Sequence, residues 1–335
     1  MASPMRIAID CMGGDFGLRV SIPAAVTSLG QFSDIDLTLV GDRSAIESAL
    51  APAMRERFTI VDAPDVVSMS DKPSHALRHK TQSSMRVAID LLHAKQVDAL
   101  VSAGNTGALM AMGCYVLKTL PGISRPAICS AVPTATGYSY LLDLGANVDS
   151  SAEHLHQFAL MGSALATALD GIENPRVALL NIGEEAIKGN EQVKLADTLL
   201  QANQQLNYIG FIEADQLFAA SADVIVADGF VGNVALKACE GTANYISSIV
   251  DGSFRASWLS RIAGFFALPI LTSIYQKLDP QQYNGASFLG LQGVVVKSHG
   301  SSNVKGFVHA IGQARMEVNS NMLDIIEQRL AALPK

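Results

Sequence analysis

The sequence is poor in charge and in aromatic rings. Charged residues make up 16% of its 335 positions, below the roughly 25% of an average globular chain. Phe, Trp and Tyr together make 6%, with a single Trp. An aliphatic core and tight loops follow, the loops served by 27 glycines. Basic residues are outnumbered: 24 Lys and Arg against 31 Asp and Glu leave a net charge of −7. That balance argues against a nucleic-acid partner, which needs a basic face. The four cysteines, Cys11, Cys114, Cys129 and Cys239, stand far apart without metal-ligand spacing, which suits a reduced, cytoplasmic compartment. The seven histidines give no metal site either; His154 and His156 project to different faces of a helix. No signal peptide is read at the N-terminus, where Met5 to Ile9 runs straight into strand-like sequence.

Long apolar runs are missing as well. The longest stretch without Asp, Glu, Lys, Arg or His is Ala99 to Leu117, 19 residues, enough in length for a membrane span. Ser102-Ala-Gly-Asn-Thr-Gly107 breaks it with polar and helix-breaking residues, so it reads as strand, Gly turn and helix. Three catalytic fingerprints are absent: G-x-G-x-x-G after a strand, a Walker A lysine loop, and a G-x-S-x-G elbow. A covalent acyl-enzyme has no support in the sequence.

What is present is a recurring pattern of short apolar runs with helical stretches between them. Arg6–Asp10, Asp36–Val40, Phe58–Val61 and Ala99–Ser102 are strand-like in the first third. Ser139–Asp143, Arg176–Asn181, Tyr208–Ile212, Asp223–Ala227 and Gly293–Lys297 follow. Most are continuously apolar, as in a sheet covered on both faces. Such alternation predicts α/β architecture with a largely parallel sheet and flanking helices. With no repeat or linker visible, residues 1–335 read as one two-lobed unit. Residues 242–278 break the rhythm as a helical hairpin. Trp258, Ile262, Phe265 and Phe266 stand at helical spacing, then Pro269 and the apolar run Ile270–Tyr275, with Arg255, Arg261 and Lys277 at the flanks. This is the pattern of a surface-adsorbed hairpin, and equally of a subunit interface or ordinary core.

Ligands of open α/β sheets bind beyond strand carboxyl ends, where loop amides and helix N-termini converge. Five such ends carry Gly and small polar residues. Asp10-Cys-Met-Gly13-Gly14-Asp15 is a phosphate or carbonyl cradle framed by two carboxylates, or a tight turn. In Ser102–Gly107, Asn105 and Thr106 can donate to a ligand oxygen, or Asn105 simply caps a helix. The run from Asn181 to Asn190 contains Lys188, either a helical i,i+4 partner of Glu184 or a point charge for an anion in a cleft. In Asp228-Gly-Phe-Val-Gly232-Asn233, Asn233 opens a helix, as a cap or as an amide donor to a carbonyl oxygen. Lys297-Ser-His299-Gly-Ser-Ser-Asn303 is a second anion cradle or a turn.

Together these loops resemble the bacterial acyl-ACP:phosphate transacylases, the PlsX family. The resemblance opens on Ile7-Ala-Ile-Asp10-Cys-Met-Gly13-Gly14-Asp15. It continues through Ala76-Leu-Arg78, Ser83-Ser-Met85, Ser102–Gly107, Leu120-Pro-Gly-Ile-Ser-Arg125-Pro126, Leu142-Asp-Leu-Gly-Ala-Asn147, Asn181–Glu185, Lys188-Gly189, Asp228–Asn233 and Tyr283–Ala286. One departure is Cys11, where the family usually has Ala. The resemblance implies a fold similar to the isocitrate and isopropylmalate dehydrogenases and to phosphotransacetylase. It implies a homodimer working peripherally at an anionic cytoplasmic membrane surface. The implied reaction turns acyl-ACP and inorganic phosphate into acyl phosphate and free ACP, for phospholipid synthesis, with no cofactor or metal. Lys188 and Asn233 match positions associated with catalysis. Asp10, Gly13, Gly14, Asp15, Asn105, Thr106, Asn181, Asp228, Gly232 and His299 are the expected substrate-binding residues.

The residue chemistry suits that expectation: an ammonium offsets phosphate charge and a carboxamide stabilises a developing oxyanion, while orientation of phosphate against a thioester supplies further acceleration. His75, His79 or a carboxylate could tune phosphate protonation. ACP is acidic, so docking needs a local basic patch: Arg78, His79, Lys80 and Arg86, or Arg255, Arg261 and Lys277, which also suit anionic lipid. The alternatives are a nucleotide-dependent oxidoreductase on a similar scaffold, whose cofactor loop is missing, and a non-enzymatic membrane-surface scaffold, which leaves the five polar turns unexplained.

Overall fold

A computed structural model describes residues 3–258, 262, 265–267, 272 and 279–331. The strands of the first part are β1 (Met5–Asp10), β2 (Ile35–Gly41), β3 (Thr59–Asp62), β4 (Ala99–Ser102), β5 (Ala127–Thr134) and β6 (Gly137–Leu142). Then come β7 (Arg176–Leu180), β8 (Asn207–Ile212), β9 (Val224–Val226), β10 (Ala286–Leu289) and β11 (Val294–Lys297). Helices of the first half are α1 (Leu18–Gln31), α2 (Arg43–Ala49), α3 (Pro73–His79), α4 (Ser84–His93) and α5 (Thr106–Val116). Those that follow are α6 (Ala152–Asp170), α7 (Glu191–Ala202), α8 (Gly229–Arg255), α9 (Val304–Asn319) and α10 (Met322–Ala331).

All eleven strands join one sheet in the order β3-β2-β1-β4-β11-β10-β5-β6-β9-β7-β8. The first five are mutually parallel, and so are the last four. Between them β10 pairs antiparallel with both β11 and β5, and β5 antiparallel with β6. Three antiparallel steps reverse the chain direction, so the two parallel sets point opposite ways. In a flat sheet their carboxyl ends would sit on opposite edges; here α8, which follows β9, reaches the loop after β11 through Lys237 and His299.

Continuous apolar strands explain the layering. Ile7 and Ile9 face one core with α1, α6, α7, α9 and α10, whereas Ala8 faces the other with α4, α5 and α8. β4 and β11 are buried along their whole length, as expected for parallel strands covered on both sides. Caps set the helix starts: Ser83, Asn105, Ser151, Asn190 and Asn303 each accept a backbone N–H of the following turn. The largely parallel α/β sheet with flanking helices is therefore the observed architecture.

The stretch read as a hairpin begins differently from its expectation. α8 is a single helix of 27 residues that starts at Gly229 rather than near 242. Trp258, Phe265 and Phe266 are exposed. Pro269, Ile270–Tyr275 other than position 272, Arg261 and Lys277 lie outside the described residues. No helix among the described residues is long and apolar enough to cross a membrane.

One buried carboxyl group makes stability pH-dependent. Glu317 of α9 is 1% exposed; its Oε1 accepts from Ser287 and from Gln313 Nε2, and its Oε2 has no partner. Burial pushes the carboxyl up from its ordinary 4.5 to about 7. A folded value above the unfolded one means stability fully present below about pH 4.5 and lost as pH rises through about 7. Relative to the wild type, Glu317→Gln is therefore expected to gain up to about 3 kcal/mol between pH 4.5 and 8. Urea midpoints of both proteins at the two pH values check this; a difference that stays constant would remove Glu317 as the source.

Candidate active site

Two groups of loops line the two sets of strand carboxyl ends. In the first, Asp10, Ser102 and Lys297 occupy one row across β1, β4 and β11. Asp10 is 1% exposed. It accepts the Ser84 and Ser102 hydroxyls, both at 2.6 Å, and the amides of Met12 and Gly13. Burial nonetheless pushes its carboxyl up. The glycines here serve close approach. A Cβ on Gly13 would lie 2.6 Å from Asp10 Oδ2 and 2.8 Å from the Gly104 nitrogen. Gly14, at φ +86°, would meet Ala103 and the Gly300 carbonyl. Three loops thus stack without side chains between them, and the exposed Asp15 donates its N–H to Gly300 O at 2.9 Å. The Cys11 thiol is buried and points to the Ile9 carbonyl, with burial pushing its pKa far up, so it is inert here.

Asn105 is fully used within the fold. Its Oδ1 accepts from Ala108 N and its Nδ2 reaches the carbonyls of Ser68, Met69 and Asp71. Thr106, next to it, is half-buried with no hydrogen bond to its hydroxyl among the described residues. His299 donates its backbone N–H to Asn284 Oδ1 at 2.8 Å, and its Nδ1 lies 2.9 Å from Ser301 Oγ.

The second group follows β6, β9 and β7, which are neighbours. Asp143, 0% exposed, accepts the amides of Ile128, Ala146 and Asn147. That turn seats the first turn of α8, where a Cβ on Gly232 would collide with the Asp143 carbonyl and one on Gly229 with the Asn147 carbonyl. The cap of α8 is Asp228, whose Oδ1 accepts from Val231 N at 2.9 Å. Asn233 is therefore the fifth helical residue and not the helix opener expected from sequence. Its half-buried carboxamide packs by Gly145 and makes no hydrogen bond among the described residues.

Residues 181–190 form a loop, not a helix, so the anticipated helical pair of Glu184 with Lys188 does not exist. Glu184 instead accepts from Gln216. Asn181 anchors the loop by donating Nδ2 to the Gly183 carbonyl at 3.0 Å, and Gly189, at φ +89°, lies against Asn181 so closely that only glycine fits. Lys188 is exposed and in no ion pair among the described residues. It shares the carboxyl edge of adjacent strands with Asn233. Exposed Ile182, Ile187, Phe230 and Val234 flank the two.

A link between the groups has no signature in the sequence. Lys237, one turn beyond Asn233 on α8, lies 3.3 Å from His299 Nε2 and 2.8 Å from Glu240 Oε2. Nothing local marks this contact, because its partners are 62 residues apart. A cavity of about 190 Å³ lies on the face covered by α6 and α9, lined by Tyr138, Asp170, Asn284, His309 and Gln313 among others. Among the described residues no group of three His, Cys, Asp or Glu is placed to hold a metal.

Solved structures with this arrangement include the EutD phosphotransacetylase from Staphylococcus aureus, with TM-score 0.59 and 16% identity over 95% of this chain and 94% of that one. A 4-hydroxythreonine-4-phosphate dehydrogenase from Klebsiella pneumoniae superimposes with TM-score 0.53 at 14% identity over 95% and 98%. At such identities the likeness concerns the fold, a scaffold shared by phosphotransacylases and dehydrogenases. The sequence profile of the family described as "Fatty acid synthesis protein" matches residues 5–324. A protein of Pseudomonas fluorescens named phosphate acyltransferase is 55% identical, over 99% of both chains. One of Alcanivorax borkumensis with the same name is 51% identical over 97% of both. The chain belongs to this family of phosphate acyltransferases, and it is an acyltransferase.

Proposed function

We propose that the chain transfers a fatty acyl group from the thioester of acyl-ACP to inorganic phosphate. A phosphate oxygen attacks the thioester carbonyl, the C–O bond forms, the C–S bond breaks, and the carrier's thiolate leaves, taking up the proton that the hydrogen phosphate gives up. The products are acyl phosphate and free ACP, which would feed phospholipid synthesis. The observation that carries this reading is the pair of uncommitted side chains on adjacent strand ends, the Lys188 ammonium and the Asn233 carboxamide. Lys188 would offset the phosphate charge as it attacks. Asn233 would donate to the carbonyl oxygen as it becomes an oxyanion. Ile182, Ile187, Phe230 and Val234 offer apolar surface for the acyl chain. The names carried by the relatives supply the acceptor.

In this reading Gly13, Gly14, Asp10, Asn181, Asp228 and Gly232 shape the loops, while Asp15, Thr106 and His299 face substrate. The chain would work in the cytoplasm as a two-lobed homodimer, with residues 242–278 meeting an anionic membrane. Arg78, His79 and Lys80 are the basic patch for an acidic carrier; Arg86 is partly spent on Asp90 at 2.9 Å. Incubation with acyl-ACP and phosphate, with hydroxylamine as the trap, should yield the acyl hydroxamate in proportion to enzyme. No hydroxamate from folded protein with fresh acyl-ACP would end the proposal.

A further inference from the structure

The cavity of about 190 Å³ opens where α6, which follows β6, faces α9, which follows β11 of the other half of the sheet. A closed space of about 150 Å³ already takes a benzene-sized molecule, so a small organic ligand fits here. Tyr138 and Tyr140 stand two apart on β6 and so on one face. Their ring centroids are 5.5 Å apart and their planes meet at 78°, which makes an aromatic corner in the cavity wall. Burial pushes both phenols up, that of Tyr138 to about 12, so both rings stay neutral.

Carboxyl groups stand by this corner. Asp170, the last residue of α6, is exposed; its Oδ1 accepts from Tyr138, and its Oδ2 has no hydrogen bond among the described residues. Ser287 and Gln313 line the cavity and both donate to Glu317 Oε1 behind them, while the buried Oε2 has no partner. No Lys or Arg lines the space. His309 does, and burial together with Lys305 holds its imidazole below the ordinary 6.5, so it is neutral above that pH.

A bland reading makes Tyr138 and Asp170 a strut between the β5–β6 hairpin and α6, with water in the groove. The strut accounts for one hydrogen bond. It leaves two ring faces, a free carboxylate oxygen and a half-bonded buried carboxyl around a space with no positive side chain. Ring faces and carboxylates both attract cations. The acceptors then choose the kind of cation. Asp170 Oδ1, Glu317 Oε1 and Asn284 Oδ1 are taken, the last by the His299 N–H. A primary ammonium brings three N–H donors that all need acceptors, whereas a fully alkylated nitrogen needs none and packs on ring faces.

We propose that this cavity binds a small alkylated ammonium compound, its cationic head against Tyr138 and Tyr140, with Asp170 and Glu317 as countercharges. The site stands apart from the transfer reading, and an occupant would bridge the two halves of the sheet. Glu317, pushed up to about 7, makes occupancy rise with pH as its carboxyl ionises. The other titratable groups around it are Cys129 of β5, kept a thiol by burial and by the charges of Glu317 and Asp143, and Asp170 and His309 in the cavity wall.

Calorimetric titration of the full chain with choline tests this, beside 3,3-dimethyl-1-butanol, which has nearly the same shape and no charge. Choline should saturate with Kd at or below about 1 mM and raise the thermal midpoint with its concentration. The uncharged alcohol should bind at least about tenfold more weakly. Asp170→Asn keeps an acceptor for Tyr138, so it should melt like the wild type while losing about five- to tenfold in choline affinity. Tyr138→Leu should lose at least as much. Between pH 6 and pH 8 wild-type affinity should rise about three- to tenfold, and in Glu317→Gln by less than about twofold. No saturation by choline, equal affinity for the alcohol, or unchanged binding in Asp170→Asn and Tyr138→Leu would overturn the site. A rise with pH that survives in Glu317→Gln would overturn the part given to Glu317. None of these readouts requires turnover, so they judge the site whatever becomes of the transfer reading.

Discussion

Lys188→Ala is expected to lower kcat by about a thousandfold or more while the protein unfolds at the wild-type temperature. The size follows from where the charge acts. Phosphate carries its own negative charge into the attack and passes more onto the thioester carbonyl, and a positive group held beside it offsets that charge. A single preorganised donor of this kind commonly accounts for about 10²–10³ in kcat, and a full charge more. Stability should be spared, because Lys188 is exposed and pairs with no described residue; surface changes of this sort usually move stability by less than about 0.5 kcal/mol. The loop keeps its shape through Asn181 and Gly189, neither of which touches the ammonium. Lys188→Arg should recover only part of the rate, since a planar fork replaces a compact point charge. Single-turnover hydroxamate formation and a melting curve on the same preparation check both halves. Near-normal turnover in Lys188→Ala would remove the residue from the chemistry.

The fold was largely legible because buried parallel strands announce themselves as unbroken apolar runs, as at Ala99–Ser102 and Val294–Lys297. β5 and β10 carry no such run. β5 mixes Cys129, Ser130, Pro133 and Thr134 into its length, and β10 has only four residues between glycine turns. These two strands reverse the sheet, so the opposed direction of its halves was also hidden. At the site, sequence could find the loops but not rank their side chains. Asn105 and Asn233 both look like asparagines opening a helix. One is spent on Ala108 and three carbonyls; the other is free because Asp228 already caps α8. Local spacing carries no record of that difference, which depends on the 68–71 turn folding over Asn105. Lys237 shows the same limit: its helical position is legible, its meeting with His299 is a property of the assembled sheet.

That difference between the asparagines sets up the second large effect. Asn233→Ala is expected to cut kcat by about 10²–10³ with KM for both substrates nearly unchanged, because the carboxamide N–H is needed when the carbonyl oxygen gains charge and little before. A helix-opening asparagine would behave otherwise, losing about 1 kcal/mol of stability on truncation. Here that cost belongs to Asp228→Ala, since Asp228 holds the Val231 amide. Asn233 lies in the second turn, where alanine is the better helix former, so the variant should melt at or slightly above the wild-type temperature. Asn233→Asp sharpens the comparison: nearly the same size, it replaces a donor by a negative charge facing the incipient oxyanion, and should fall below Asn233→Ala in rate. If Asn233→Asp retained more activity than Asn233→Ala, the group would be acting as a hydrogen-bond acceptor, and the oxyanion role would pass to a backbone amide of α8.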